Sequence, residues 1–410
     1  MTTLRSRLST LLLQAFPVLI LLFSKRLPLT LSLLSLILLL LLVICRKRTT
    51  GHFLVPTSLT LPILLLCAAS ATSLYASVDL PLSLADVFKL VAGVAIFYGI
   101  VNSLDSGRKI EIAVSLFVIA GACAGLGALL MMQASQHKLP LVSSLFPYLP
   151  SPLPRRIHPN YVGGTLVFFL PAAFWCVLFR RRGHAFLHAT AFVLTGIGLL
   201  FTQSRGALIG AVAGVCLAGA LAYRWVRWAV LPLAVGGVLW VYFFGIGTVI
   251  DPPAMTGLSH TWEGRKELWD RAIYIIQDFP FTGIGLHTFP VVTDLLYPLF
   301  LAGPNARAPH AHNFYLQVAV DTGIPGFVAF WMMLGAWGGM VWESLKRTAA
   351  GSEAAAFRPL VLGLAGGMLA HLVYSLTDTI ALGEKAGIVF WAVLGLTAAV
   401  WRHVREAVES

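Results

Sequence analysis

"LPLTLSLLSLILLLLLVICRKR", Leu27 to Arg48, carries no charge for nineteen residues and then three charges in a row. A helix needs roughly 20 apolar residues to cross the hydrocarbon core of a bilayer. The run therefore reads as a transmembrane helix, and Arg46-Lys47-Arg48 marks its cytoplasmic end under the positive-inside rule. Similar runs recur to the end of the 410-residue chain, which is 58% hydrophobic and only 11% charged. Its mean hydropathy is +0.83. Soluble domains carry about 25% charged residues, so most of the water-facing surface has been replaced. The continuity of the runs excludes an outer-membrane barrel, whose strands are short and alternating.

The fold class is an all-α polytopic membrane protein with about 12 transmembrane helices in a single transmembrane domain over residues 1–410. The spans fall near 8–24, 27–45, 53–76, 84–104, 110–133, 161–179, 185–203, 207–223, 228–248, 324–343, 359–379 and 386–402. Lys25-Arg26 is followed by no small-residue cleavage site, so the first span is retained. With both termini in the cytoplasm, the clusters Arg46-Lys47-Arg48, Arg108-Lys109, Arg180-Arg181-Arg182, Arg224 with Arg227, and Lys346-Arg347 all face inward. Lys25-Arg26 and Arg155-Arg156 run against this alternation. The net charge of +12 is thus membrane orientation rather than a nucleic-acid surface. Cys45, Cys67, Cys123, Cys176 and Cys216 lie in or beside apolar segments with no CxxC pair, and read as buried small hydrophobes.

Two outer connections are long. One, near 134–160, contains the proline-rich "YLPSPLPRRIHPN"; the other, 249–322, separates spans 9 and 10. A loop of that length is usually functional. Within it "WEGRKELWDRAIYIIQDFPFTGIG" reads as an amphipathic helix with Leu268, Ala272, Ile275 and Ile276 on one stripe, stopping before Pro280. Arg265 falls in its first turn, where the helix dipole disfavours a cation but an anion can meet free N–H groups. Taken alone, its plainer reading is a solvated surface arginine. Asn313, Gln317 and Asp321 recur every four residues on a second short helix, which "GIPG" then breaks. Gly206, Gly210 and Gly214 form a small-residue ridge for close helix packing.

The remaining polar residues gather at outer helix ends. Arg205, in "FTQSRGALIG", is either a snorkelling anchor or a charge aimed into the bundle. Asp378, in "YSLTDTI", either pairs with an arginine or serves a site. His310 and His312 lie at the bundle mouth, where an interfacial histidine satisfied by a carbonyl is the plain alternative. There is no GxxxxGK[ST], no HExxH and no DxD pair, which argues against a P-loop motor and for metal-free chemistry without a cofactor. A transporter would place its polar groups near the midplane and show repeats; neither is visible.

His312-Asn313, nine residues, and then Gly323-Ile324-Pro325-Gly326 resemble the H-[NSQ]-x9-G-x-x-[GTY] signature of the O-antigen ligase and polymerase superfamily. "SRGALIG", "GRKELWDRAIYIIQDFPFTGIGLHTF" and "HPNYVGGTLVFFLPAA" are similar to its other segments. The likeness covers roughly residues 155–330 in detail, and the first 150 residues match only in character. It implies a glycosyltransferase C type fold in the bacterial inner membrane, with its active site facing the periplasm. The donor would be a glycan on undecaprenyl diphosphate and the acceptor the lipid A–core. His312 would be the catalytic base and Arg205 and Arg265 would hold the diphosphate. Arg155, Arg156, His310, Asn313 and Asp378 would add substrate contacts. A polymerase or a protein O-oligosaccharyltransferase would share the same motif.

Overall fold

A computed structural model describes residues 17–26, 28–50, 55–132, 144, 157–179, 185–244, 262–301, 308–349 and 353–409. Its helices are α1 (Leu29–Thr50), α2 (Thr60–Ser73), α3 (Leu80–Ser103), α4 (Gly107–Met131), α5 (Pro159–Leu166), α6 (Phe169–Phe179) and α7 (Ala185–Thr202). The chain continues through α8 (Arg205–Ala222), α9 (Arg224–Phe244), α10 (Trp262–Asp278), α11 (Phe289–Leu296), α12 (Phe314–Arg347), α13 (Arg358–Tyr374) and α14 (Gly387–Glu409). The only strand-like feature among the described residues is one isolated bridge between Met132 and Ile157. All-helical structure follows from the solvent, since in lipid each backbone N–H must find its carbonyl within the segment.

Eight helical stretches among the described residues are long and apolar enough to cross a membrane: α3, α4, Pro159–Leu178 (α5 with α6), α7, α8, α12, Ala354–Tyr374 and α14. Two shorter apolar helices, Leu29–Cys45 and Thr60–Ala76, stand at the second and third expected spans. Helix α9 covers most of the ninth, and the first lies largely outside the described residues. Large apolar side chains face outward on many of these helices, among them Leu34 at 60%, Leu116 at 60% and Trp331 at 48% exposure. In water each would forgo the roughly 1.5–3 kcal/mol that burial of such a side chain yields; in lipid no such loss arises. The protein is a polytopic helical membrane protein.

Small residues set the closest packing. Helix α8 lies against α13 along the expected glycine ridge: a Cβ at Gly210 would stand 2.6 Å from the Ala370 carbonyl, and one at Gly206 2.6 Å from Thr377 Oγ1. Gly93 of α3 leaves room for the fully buried Trp391 of α14. The cysteines depart from expectation. Only Cys176 is buried; Cys67 and Cys216 are half-buried, and Cys45 and Cys123 are exposed. On lipid-facing helices an apolar residue need not be inside, so hydropathy alone could not place them.

Helix α12 is kinked at Gly323, whose φ of 69° and ψ of −178° leave the helical region. Pro325 has no N–H to give the Asp321 carbonyl, so a straight helix would strand that acceptor. The turn after α10 supplies the missing partners. Gly285 N–H donates to the Asp321 carbonyl (3.2 Å), Ile284 N–H to that of Val320 (3.0 Å), and Ile324 N–H to that of Pro280 (2.7 Å). Gly283, at φ 63°, comes so near this kink that a Cβ would lie 2.6 Å from Asp321 carbonyl carbon. The break expected from "GIPG" is therefore also a dock for the long loop. That loop has its own core of Leu268, Ala272, Ile275, Ile284, Phe289, Val292, Ala311 and Val320. Helix α10 ends at Asp278, before Pro280 as expected, with Ile276 half-buried at the edge of its stripe.

Candidate active site

The site forms where the start of α12 is tied to the end of α13. Asn313 caps α12, its Oδ1 accepting from Leu316 N–H (3.1 Å) while its Nδ2 donates to the Leu376 carbonyl (3.3 Å). Phe314 N–H donates to the Ser375 carbonyl (2.9 Å), and Tyr315 hydroxyl to that of Leu372 (2.8 Å). These bonds bring the His310–His312 turn against Asp378, in the connection between α13 and α14. Both polar ends of Asn313 thereby take part in holding this turn, the oxygen as the cap of α12.

His312 and Asp378 are 5% and 4% exposed. His312 Nδ1 stands 3.2 Å from Asp378 Oδ1, and His310 Nε2 stands 3.7 Å from the same oxygen. The two rings are 4.2 Å apart, tilted by 58°. Asp378 Oδ1 also accepts from Thr379 N–H at 2.9 Å. His310 Nδ1 accepts from His312 N–H (3.2 Å), which fixes its tautomer when neutral: the proton lies on Nε2, towards Asp378. His312 Nδ1 has ion-pair distance to Asp378 but not the alignment of a hydrogen bond, and its Nε2 has no hydrogen-bond partner among the described residues. A proton on Nδ1 facing the carboxylate would leave the Nε2 lone pair available as a base. Unliganded sites often show such loose pairs, which tighten around substrate.

The backbone is strained at the same point. His312 has φ 49°, in the left-handed region, which costs a side-chain-bearing residue about 1–2 kcal/mol. Strain of this kind persists where surrounding contacts impose it, and it clusters at functional sites. Burial, with the His312 charge next, pushes the His310 imidazole down to about 3. It stays neutral at ordinary pH. Burial alone would raise the Asp378 carboxyl, but His312, His310 and the Thr379 N–H together hold it well below the usual carboxylate range. One ionised carboxylate between two imidazoles is the electrostatic centre of this turn.

The two expected arginines lie on helices that border this turn. Arg205 opens α8, whose next residue, Gly206, packs on Thr377 beside Asp378. Arg265 lies in the first turn of α10, half-buried, and its charge acts on the Tyr374 hydroxyl, as does that of Asp378. Tyr374 donates to the Asn160 carbonyl (2.8 Å), which brings the start of α5 to the same place. Arg155 and Arg156 lie outside the described residues.

Sequence reading missed several neighbours. His158 and His287 are close enough to act on His310 electrostatically. His287 Nδ1 is 3.3 Å from Asp86 Oδ2, and Asp86 forms an ion pair with Lys89, both buried. Burial, then the Asp86 charge, pushes the Glu384 carboxyl up to about 8. A signal was present: Asp86 and Lys89 interrupt an apolar run three residues apart, and ionised groups in a span are rare without a purpose.

His310, His312 and Asp378 present ligand atoms within 4.8 Å of one another, a spacing that a divalent cation can bridge. The absence of a metal motif in the sequence therefore did not exhaust the possible ligand sets, because these three side chains come from two separate connections.

No curated protein matches the chain. A family model described as O-antigen ligase matches residues 190–331, from α7 to just beyond the kink of α12. The match encloses Arg205, Arg265, His310, His312 and Asn313, while Asp378 lies beyond it. Over these residues the chain is thus similar to the O-antigen ligase family.

Proposed function

We propose that this protein transfers a polysaccharide from undecaprenyl diphosphate to the lipid A–core at the periplasmic face of the bacterial inner membrane. His312 acts as the base, and Arg205 and Arg265 hold the diphosphate. The observation that carries this reading is a buried histidine 3.2 Å from a buried carboxylate, His312 against Asp378, at the helix-end turn.

In the transfer, an acceptor hydroxyl attacks the anomeric carbon from behind, with inversion. The hydroxyl proton passes to His312 Nε2, the new glycosidic C–O bond forms, and the bond from carbon to diphosphate oxygen breaks. Undecaprenyl diphosphate leaves with the bonding electron pair and one more negative charge. Arginine forks stabilise that charge as it grows, and the Asp378 carboxylate stabilises the imidazolium. A positioned base contributes typically 10²–10⁴-fold.

Reconstituted transfer with donor, acceptor and matched amounts of each variant tests the assignment. His312→Ala is expected to lose about 10²-fold or more in rate while retaining donor binding. A fully active His312→Ala removes the histidine from the chemistry. Ligase and polymerase share this site and differ in acceptor. A deletion strain lacking a ligase makes bare core with polymer stranded on the carrier; one lacking a polymerase makes core capped by a single repeat.

A further inference from the structure

The peptide between the two site histidines is held by a side chain that no motif contains. Gln317, in the first turn of α12, is 2% exposed. Its Oε1 accepts from Ala311 N–H at 2.8 Å, and its Nε2 donates to Asp321 Oδ1 at 2.7 Å. The amide orientation follows from the Ala311 N–H, which can only donate: it takes Oε1, and Nε2 is left facing Asp321 Oδ1. Asp321, itself 5% exposed, lies at the kink, where its carbonyl accepts from Gly285 N–H. A continuous chain of bonds thus runs from the glycine turn after α10, through Asp321 and Gln317, to Ala311.

Ala311 is fully buried and lies between His310 and His312. Without Gln317 its N–H would be a buried donor with no partner, a state that proteins avoid. The neighbouring left-handed backbone at His312 would also lose a constraint that keeps it there. Relaxation to an ordinary φ would swing the imidazole away from Asp378. We propose that Gln317 is a positioning residue: it clamps the Ala311 peptide to the α12 kink and so holds His312 against Asp378. This rests on the reading of His312 as the base.

The test uses full-length protein with four substitutions: Gln317→Leu, Gln317→Glu, Asp321→Asn, and the double change Gln317→Glu/Asp321→Asn. Gln317→Leu removes both bonds. Gln317→Glu keeps an acceptor for Ala311 N–H but replaces the Nε2 donor with a second carboxyl oxygen facing Asp321. The double change restores an N–H donor opposite a carboxyl oxygen, so both bonds re-form with amide and carboxyl exchanged. For Gln317→Leu, kcat is expected to fall on the order of 10²-fold, the scale of a 1 Å misplacement, with donor KM little changed. The double variant is expected to recover most of the loss, and Asp321→Asn alone, which still offers an oxygen to Gln317, to be milder.

Hydrogen exchange of the peptide covering residues 308–316 supplies a readout independent of activity. Its protection is expected to drop in Gln317→Leu and return in the double variant. Parental kcat in Gln317→Leu, unchanged exchange there, or no recovery in the double variant overturns the proposal. His312→Ala, run alongside, separates the two claims: if it stays active the base assignment fails, whereas an inactive His312→Ala beside a fully active Gln317→Leu refutes the clamp alone.

Discussion

Asp378→Asn removes one charge from the proposed site at almost constant volume. In the native protein Asp378 Oδ1 is 3.2 Å from His312 Nδ1, with side-chain exposures of 5% and 7%. Two unit charges at that separation interact by about 5 kcal/mol at an effective dielectric near 20. The imidazole is only partly protonated in the transition state, so roughly half of this, about 2.5 kcal/mol, is realised there. At 1.36 kcal/mol per decade that is a loss approaching 10²-fold in kcat. The asparagine also has an amide that can present N–H groups to His312 Nδ1, which favours the tautomer with its lone pair on the wrong nitrogen. That adds to the loss, as misassigned tautomers do in other carboxylate–histidine pairs. The assay is single-turnover transfer in proteoliposomes at saturating donor and acceptor, so that kcat is read without differences in binding. Donor affinity, measured separately, is expected to hold, because the diphosphate is assigned to the arginines. A folded Asp378→Asn with parental kcat would refute the reasoning and leave His312 without its electrostatic partner.

Alanine at Arg205 or Arg265 is expected to nearly abolish transfer while the protein still inserts, and lysine to rescue partly because it lacks the bidentate fork; full activity in either alanine variant, in the same assay, removes that arginine from the site. Transfer is expected to survive EDTA; loss restored by a divalent ion would overturn the metal-free mechanism, with His310, His312 and Asp378 as the ligands to test next. Glu384 gives a pH dependence of stability. Its carboxyl is raised in the folded state from 4.5 to about 8, so the unfolded form ionises first as pH rises, and stability falls between those values by at most a few kcal/mol. Glu384→Gln is expected to flatten that slope and to raise the melting temperature more at pH 8 than at pH 5; an equal change at both would place the effect elsewhere.

The fold class was legible because lipid imposes one rule on every segment, and an uncharged run such as 27–45 satisfies it without reference to any other part of the chain. The amphipathic helix over residues 262–278 and the break at "GIPG" were legible for the same reason, since each is local: a stripe at helical spacing, and a proline that cannot donate. What the proline does was not local. The freed carbonyls of Val320 and Asp321 are met by Ile284 and Gly285, and nothing in "FTGIG" states which acceptors those amides will find. His312 was legible through its spacing to Gly326, whereas its pairing with Asp378 requires α12 to start against the end of α13. That juxtaposition depends on Phe314 N–H reaching the Ser375 carbonyl and on Tyr315 reaching that of Leu372. Gln317 shows the limit most sharply. Its spacing to Asp321 was visible as a shared helix face, but the same spacing fits a solvated face equally well. Only the backward turn of the chain through residues 310–312 buries that face and gives its amide a peptide to hold. Residues that hold a site in shape through the backbone leave no pattern of their own in a single sequence, because the bond they make is to an N–H that every residue except proline possesses.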